Sequence, residues 1–163
     1  KTGAYSTNGL TDSAKDQISS TKWYLGGTKW NDGYGNTKEV YIQERSTDVY
    51  SGNVQIWNGK VALIYPSDYM YASSGCYNNG TGGRNYSNSL CTTTNWMLNA
   101  IGGGWFLSPL SGAGEVTDIL YSSGEMNINA SYNSSYFSPS LYLASNVEYM
   151  SGSGSITDPF IIK

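Results

Sequence analysis

The sequence of 163 residues is long enough to fold as one domain with a real core, and its low charge excludes several kinds of partner. The formal net charge is −3, and Arg45 and Arg84 are the two arginines, so no basic stripe is present to neutralise phosphates. We therefore expect neither nucleic acid nor an anionic membrane surface as a partner. No apolar window approaches the ~20 residues that a membrane-spanning helix needs, so we expect no membrane segment in this stretch.

Aromatic and hydroxyl-bearing side chains dominate the composition. Charged residues make up 13% of the chain and aromatic residues 14%, including 15 Tyr and 5 Trp, which is typical of exported bacterial proteins and of adhesive surfaces. The sequence has no histidine, the commonest general base and the commonest transition-metal ligand. This excludes Ser-His-Asp and Cys-His hydrolases and most zinc sites, and we expect no catalytic residue, metal or cofactor.

The first third of the chain predicts one helix followed by short strands. Apolar residues recur every four positions from Leu10 to Ile18, which indicates an amphipathic helix over 11–20. Asn58-Gly59 can supply the two positive φ angles of a type I′ turn and therefore predicts a hairpin. The strands expected in this region are 23–25, 40–45 and the hairpin pair 54–57 and 60–64.

Two segments, 57–66 and 105–109, begin with a tryptophan, continue through a short apolar run and end at a proline. Because proline cannot donate a ladder hydrogen bond, each strand should end there. Ser67 or Asp68 is then placed to cap a short helix through Ala72, and a cap explains Asp68 better than a ligand or catalyst. The residues given a structural role on this basis are Trp57, Pro66, Asp68, Trp105 and Pro109.

The segment over 73–93 is rich in Gly, Asn and Ser and reads as a long loop. Cys76 and Cys91 bracket most of it, and a disulfide between them is the natural use of the pair. Such a bridge would add about 3 kcal/mol to the free energy of unfolding. Two free buried thiols or a redox pair are the alternatives.

The second half of the chain adds a helical turn and several strands. The turn over 95–98 should end at three consecutive glycines, and Ser123-Gly124 should join two strands as a hairpin. The strands expected here begin at 105 and cover 115–121, 125–130, 140–144 and 160–162. The whole pattern predicts an α+β fold, mostly antiparallel β with one or two short helices.

Two acidic motifs are weak candidates for chemistry. Glu115 and Asp118 offer two carboxylates, but their odd spacing on a strand sends them to opposite faces. Trp30-Asn31-Asp32 spells a tripeptide that C-type lectins use at a calcium and sugar site. The chain has no Glu-Pro-Asn or Gln-Pro-Asp to accompany it, so a turn or chance explains it better.

The excess of tyrosine has two interpretations. Each buried hydroxyl needs a partner, so the tyrosines between 65 and 142 cannot all be buried. Either tyrosine replaces leucine in a thin β-rich core, or some tyrosines form a binding surface of the kind that paratopes use. The candidate binding residues are Tyr77, Arg84, Tyr86, Tyr132 and Tyr136.

The motifs WNGKVALIYPSDYMYA, WFLSP and SLYLASNV…SGSGSITDPF give the sequence a resemblance to a known family. It resembles the C-terminal module of type IV prepilin-like surface proteins of Gram-positive bacteria, over residues 22–163. The resemblance implies one globular module over 22–163, which would be the globular head of a type IV pilin. Residues 1–21 would be the remnant of a longer assembly helix or a linker.

A more distant resemblance is to formylglycine-generating-enzyme-like domains, which have a C-type-lectin-like fold. It rests on the order of WFLSP, a strand near Gly124 and SPSLYL. Ser138-Pro139 stands where that family tends to have Arg-Pro, and Cys76 and Cys91 precede WFLSP whereas the copper-binding cysteines of the enzyme come late. The resemblance therefore implies a scaffold without the enzyme's catalytic equipment.

Together, these features predict an extracellular structural or adhesive subunit at the cell surface, without catalytic activity. Its expected partners are further copies, joined into a filament through an N-terminal helix, or a glycan or protein on a host or cell surface. A lectin-like domain that binds carbohydrate or protein is the alternative. A divergent enzyme on the formylglycine-generating-enzyme-like scaffold is the remote one.

Overall fold

Short helices and short strands are mixed up to Ile101, and only strands follow among the described residues. The structure, a computed structural model, describes residues 10–29, 36–46, 56–77, 89–111, 116–130, 133–155 and 157–163. The helices in these ranges are α1 (Asp12–Asp16), α2 (Thr37–Glu44), α3 (Pro66–Tyr71), α4 (Ser74–Tyr77), α5 (Ser89–Thr94) and α6 (Trp96–Ile101). The strands are β1 (Thr21–Tyr24), β2 (Thr28–Lys29), β3 (Ile56–Gly59), β4 (Val61–Leu63), β5 (Gly104–Ser111), β6 (Val116–Leu120), β7 (Met126–Ala130), β8 (Pro139–Leu141), β9 (Tyr149–Ser151) and β10 (Ile161–Ile162).

The strands form several small sheets that are mostly antiparallel. The largest has the order β2-β5-β6-β7, in which β2 runs parallel to β5 and the other pairs are antiparallel. Three two-stranded antiparallel sheets pair β1 with β3, β4 with β8, and β9 with β10. The predicted α+β class with mainly antiparallel strands is confirmed, although the described residues hold more short helices than the one or two expected.

Local signals place α6 and the β6–β7 hairpin where the sequence predicts them. The Asn95 side chain accepts the N–H groups of Met97 and Leu98, and Gly102 ends the helix in the left-handed conformation at φ 67°. Gly124 has φ 84° and donates to the Tyr121 carbonyl in the turn between β6 and β7. Each position has the residue type that its backbone conformation favours.

The prediction of a strand over 40–45 is wrong, because these residues belong to α2 and the turn after it. Asn36 and Glu39 form a capping box, in which each side chain accepts the other residue's backbone N–H at 3.1 Å. The helix buries Thr37, Val40 and Glu44, which share one face at helical spacing. The alternation of apolar and polar residues over 40–45 suggested a strand, but the buried glutamate Glu44 lies four residues after Val40 on one face of the helix.

The predicted hairpin at Asn58-Gly59 is also wrong. Both residues lie in β3, opposite Lys22 and Thr21 of β1, and neither has a positive φ. The Gly59 carbonyl accepts the indole N–H of Trp23 at 2.9 Å, and a Cβ on Gly59 would overlap the Trp57 ring. Glycine is therefore needed here for close approach of an aromatic ring, and β4 pairs with the distant β8.

The amphipathic helix expected over 11–20 is shorter than predicted. Helix α1 ends at Asp16, and Ile18 leaves it to form an isolated antiparallel bridge with Leu143. Ile18 is buried whereas Leu10 is exposed. Ile18 is therefore buried by the backbone bridge to Leu143 and not as part of the apolar face of a helix.

The two prolines behave differently. Strand β4 ends at Leu63, and Pro66 is the first residue of α3, where its missing N–H costs no hydrogen bond. The expectation that Pro109 ends a strand is wrong, because it lies inside β5, opposite Thr117. The β5–β6 register shifts between Trp105 and Pro109, and proline is tolerated in a sheet at such irregularities.

The core forms two clusters. The larger one surrounds Tyr69 and Phe106, with apolar residues from α2, α6, β6 and β7 and both cysteines, and the smaller one joins Trp23, Ala62 and Tyr65. Trp57 is 43% exposed, so the buried tryptophan of the β1–β3 ladder is its partner Trp23. The strand expected over 140–144 is shorter than predicted, because β8 covers only Pro139–Leu141.

Candidate functional site

The tyrosines divide into a buried set and an exposed set. The Tyr65 hydroxyl donates to the Tyr24 carbonyl, and the Tyr69 hydroxyl donates to the Gly124 carbonyl at 3.0 Å. Burial raises the pKa of Tyr65, and it raises the pKa of Tyr69 to about 12. Both hydroxyls are therefore neutral donors. Among the described residues, the exposed tyrosines are Tyr41, Tyr71, Tyr121, Tyr136, Tyr142 and Tyr149. Tyr65 and Tyr69 are therefore core residues, as one interpretation of the tyrosine excess expects, and a binding surface stays a prediction for the exposed set.

Large apolar side chains are exposed throughout the C-terminal part of the chain. More than half of the exposed large apolar residues lie within 136–161. We call them the C-terminal apolar surface: Tyr136, Phe137, Leu141, Tyr142, Leu143, Tyr149, Met150, Phe160 and Ile161. None of residues 127, 133–155 and 157–163 is buried. This stretch therefore contributes apolar side chains to the surface of the chain and none to its core.

Backbone hydrogen bonds attach the first part of this surface to the rest of the chain. Strand β8 pairs with β4, and the Trp105 N–H donates to the Tyr136 carbonyl at 2.9 Å. Ser19 donates to the Tyr142 carbonyl at 2.8 Å. The Tyr142 ring also lies 5.2 Å from the Trp23 ring, between centroids. The backbone over 136–144 is thus fixed while most of its large side chains stay exposed.

Residues 148–163 form a terminal hairpin whose strands pair only with each other among the described residues. Glu148 and Lys163 exchange backbone hydrogen bonds and form an ion pair at 3.2 Å. The Tyr149 and Phe160 rings meet edge to face with centroids 6.0 Å apart. The Asp158 carboxylate accepts the Ser153 N–H at 2.8 Å in the connecting loop. These contacts fix the hairpin's shape and leave its apolar side chains exposed.

The structure places one of the predicted binding residues fully. Tyr136 is 80% exposed and belongs to the C-terminal apolar surface. Tyr77 is the last residue of α4, and its side chain lies outside what the structure describes. Outside the described residues lie Arg84, Tyr86, Tyr132, Glu115, the side chain of Asp118 and the tripeptide at 30–32.

The predicted Cys76–Cys91 disulfide is confirmed. The two Cα atoms are 4.5 Å apart, both cysteines are buried, and the bridge joins α4 to α5. The buried Asn95 side chain donates to the Tyr69 carbonyl at 2.9 Å and to the Cys76 sulfur at 3.4 Å. Asn95 therefore links the start of α6 to both α3 and the disulfide. Residues 78–88 of the expected loop lie outside the described part of the chain.

A buried ionic cluster joins α2 to α3, and the sequence analysis missed it. The Arg45 guanidinium contacts the carboxyl group of Glu44 at 3.1 Å and the carboxylate of Asp68 at 3.2 Å. It also donates to the Ser67 hydroxyl at 2.9 Å. The rings of Tyr41 and Tyr65 flank the guanidinium, each with its centroid 4.1 Å away.

Glu44 is the buried member of this cluster, at 0% exposure. Both of its carboxylate oxygens accept the Ser67 N–H, at 3.0 and 3.2 Å. Burial raises the pKa of Glu44 to about 8, although Ser67 and Arg45 act in the opposite direction. Because no solvent reaches this carboxyl group, its hydrogen bonds with Ser67 join α2 to α3 and stabilise the packing of the two helices.

Asp68 occupies the solvent-facing side of the same cluster. One carboxylate oxygen accepts the Tyr65 N–H at 3.0 Å, so Asp68 caps α3 from its third residue, and the other contacts Arg45. Two sequence signals point to the cluster once α2 is known to be a helix. Glu44 follows Val40 by four residues on the buried face, and Tyr41 precedes Arg45 by four.

The described residues contain neither a candidate metal centre nor a helix that could span a membrane. No group of three or more His, Cys, Asp or Glu within the described ranges is arranged to hold a metal ion. In the same part of the chain, every helix is too short or too polar to cross a membrane. No protein-family model matches the chain, and no match was found among curated proteins or among solved structures.

Proposed function

We propose that this chain is an extracellular structural and adhesive subunit of the type IV pilin-like class, with a C-type-lectin-like head and no catalytic activity. The observation that carries the proposal is the C-terminal apolar surface. Exposed apolar residues scattered singly are ordinary, whereas contiguous exposed apolar patches mark contact surfaces, so the proposal takes this stretch to supply such a patch. Here they are concentrated after residue 136.

The chemistry of this surface supports contact with another macromolecule. Tyr136, Tyr142 and Tyr149 offer large, rigid contact areas at low cost in conformational entropy. Met150 adds an adaptable apolar side chain. The Cys76–Cys91 disulfide agrees with an oxidising compartment, which supports a location outside the cell.

A retention assay tests the adhesive role. Beads carrying the chain are washed over surfaces coated with collagen or with a neutral polysaccharide, and the retained fraction is measured. The double variant Tyr136→Ser/Leu141→Ser removes two exposed apolar side chains of the C-terminal apolar surface. We expect it to lower retention on collagen at least tenfold, because hydrophobic contact would be lost without loss of core packing.

The matched control is Tyr121→Ser/Leu10→Ser, which removes the same residue types at exposed positions outside that surface. It should retain wild-type binding. Equal retention of the wild type and the Tyr136→Ser/Leu141→Ser variant on both coatings would contradict the proposal.

A lectin-like role is the second candidate, and the terminal hairpin favours it. The exposed Tyr149–Phe160 ring pair lies beside a loop with the polar side chains of Ser153, Ser155 and Asp158. Exposed rings with neighbouring hydrogen-bonding groups suit an uncharged sugar. Saturable retention on the polysaccharide that Tyr149→Ala abolishes, with no retention on collagen, would establish this role in place of the first.

A further inference from the structure

The terminal hairpin contains the one Asp–Pro peptide bond of the sequence, between Asp158 and Pro159. Both residues are exposed, and Pro159 has no N–H with which to hold this bond in a ladder. When the bond breaks, the proline nitrogen leaves as a secondary amine, which takes up a proton more readily than the primary amine released at other peptide bonds. An Asp–Pro bond is therefore the peptide bond that a neighbouring carboxylate breaks most easily.

The main-chain carbonyl oxygen of Asp158 lies among hydrogen-bond donors. It accepts the N–H of Ser153 at 3.1 Å and the N–H of Gly154 at 3.0 Å. The Ser153 hydroxyl donates to the same oxygen at the longer distance of 3.4 Å. Two backbone N–H groups that converge on one carbonyl oxygen polarise the carbonyl and stabilise negative charge that develops on it. This arrangement is that of an oxyanion hole in an acyl-transfer enzyme.

The side-chain carboxylate of Asp158 is held beside the same carbonyl. One carboxylate oxygen accepts the Ser153 N–H at 2.8 Å, so a single N–H contacts both the side chain and the main-chain oxygen of Asp158. On the other side, the Asp158 N–H donates to the Ser155 hydroxyl at 3.1 Å and to the Ser155 carbonyl at 3.2 Å. The carboxylate and the carbonyl that it would attack are thus held together by the loop, and such proximity lowers the barrier to an intramolecular reaction.

We propose that the chain cleaves itself in acid between Asp158 and Pro159, with the Asp158 carboxylate as the nucleophile. A carboxylate oxygen attacks the main-chain carbonyl carbon of the same residue, and the new C–O bond closes a five-membered ring. The negative charge moves to the carbonyl oxygen, which accepts the N–H groups of Ser153 and Gly154.

The second half of the reaction releases the segment after Asp158. The C=O bond re-forms, the bond to the Pro159 nitrogen breaks with its electron pair on nitrogen, and the nitrogen takes a proton from hydronium. One water molecule then opens the cyclic anhydride. The products are a chain that ends at Asp158 with two free carboxyl groups and a fragment with a free amine at Pro159. Each chain reacts once, so the inference goes beyond the proposed adhesive role and does not depend on it.

Cleavage would dismantle the terminal hairpin. It would remove β10, and with it Phe160 and Ile161 of the C-terminal apolar surface. Tyr149 would lose the ring of Phe160, with which it makes its edge-to-face contact. Strand β9 would lose β10, the strand that pairs with it in the described part of the chain. Acid would therefore alter the C-terminal apolar surface irreversibly.

Intact-mass measurements on the folded chain test the reaction. The chain is kept at about pH 4, where hydronium is available while part of a population of aspartate side chains is still ionised. We expect it to lose the fragment that begins at Pro159. The same chain in guanidinium chloride at the same pH keeps the Asp–Pro bond but loses the loop. It should be cleaved at least tenfold more slowly, because the carboxylate and the two N–H donors are no longer held in place.

Two variants separate the parts of the mechanism. Asp158→Asn removes the carboxylate, and Pro159→Ala replaces the leaving secondary amine by a primary amine. Each should slow cleavage of the folded chain at least tenfold. The matched control Ser153→Ala removes only the hydroxyl and keeps both backbone N–H donors, so its rate should stay within about twofold of the wild-type rate. All three positions are exposed, and circular dichroism at the pH of the experiment verifies folding.

Three results would each overturn the inference. One is a folded chain that stays intact in acid. Another is an equal rate in the folded and denatured samples, because cleavage would then reflect only the ordinary acid lability of an Asp–Pro bond. The third is an Asp158→Asn variant that is cleaved at the wild-type rate. The retention assay still decides the adhesive role separately, since Tyr136 and Leu141 lie outside the hairpin.

Discussion

At the residue scale, Glu44 shows how one buried carboxyl links stability to pH. Burial raises its pKa from 4.5 to about 8 in the folded chain. Between these values the folded chain keeps the proton and the unfolded chain releases it. The contribution of this group to the free energy of unfolding is therefore fully present below pH 4.5 and is lost as the pH rises through 8.

The variant Glu44→Gln should remove this dependence. In the wild type, Glu44 lowers the free energy of unfolding with a slope that approaches about 1.4 kcal/mol per pH unit in that window. Glutamine does not titrate, so the difference between the two proteins should change with pH by that slope. Urea unfolding at a series of pH values measures it. A constant difference across the window would show that Glu44 is ionised throughout.

Asn95 is a second residue whose effect can be isolated. Its side chain accepts two N–H groups at the start of α6 and donates to the buried Tyr69 carbonyl. Asn95→Ala should lower the free energy of unfolding by about 1–3 kcal/mol, because the cap is lost and the Tyr69 carbonyl keeps only the Ala72 N–H as a donor. The control Asn99→Ala, on the exposed side of the same helix, should change it by less than ~0.5 kcal/mol. Equal effects in urea unfolding would contradict this account.

At the element scale, the disulfide joins two helices that are too short to be stable alone. Helices α4 and α5 cover only Ser74–Tyr77 and Ser89–Thr94, and the bridge closes a separation of 15 residues. Cys76→Ala/Cys91→Ala should therefore lower the free energy of unfolding by about 3 kcal/mol. Chemical reduction of the wild type should shift the urea midpoint by a similar amount. A shift in only one of the two experiments would contradict the interpretation of the bridge as a constraint on the unfolded chain.

The elements that the sequence predicts are those with local determinants. Asn95 and Gly102 bound α6, and Gly124 forms the β6–β7 turn, through their own backbone conformations and short-range hydrogen bonds. Asn58-Gly59 and Pro109 are different, because distant partners decide their structure. Gly59 lies against the Trp57 ring, and its carbonyl accepts the indole N–H of Trp23. Pro109 lies where the register between β5 and β6 is irregular.

The same distinction applies to the candidate site. Tyr136 was predicted as a binding residue because an excess of tyrosine can be read from composition, and it is the most exposed of the large apolar side chains. Leu141 and Met150 are exposed because no element of the described residues covers them, and no local pattern reveals this. The Arg45 cluster depends on the approach of residues about 23 positions apart, from α2 and α3.

At the scale of the whole molecule, the chain has an uneven distribution of burial. Among the residues whose burial is described, the core residues lie between Ile18 and Met126, while residues 136–161 have large apolar side chains that are exposed. With a net charge of −3 and few charged residues, the surface relies on hydroxyl and aromatic groups for its contacts. The proposed adhesive role therefore requires that a partner covers the C-terminal apolar surface when the protein is bound.

Hydrogen exchange tests that claim most directly. Backbone amides over 136–143 and 148–155 are compared by mass spectrometry in the free chain and in the chain retained on collagen-coated beads, with 116–130 as the reference. We predict that exchange in the two C-terminal ranges slows at least tenfold on retention while 116–130 is unchanged. Unchanged exchange in both C-terminal ranges of the retained chain would contradict the account.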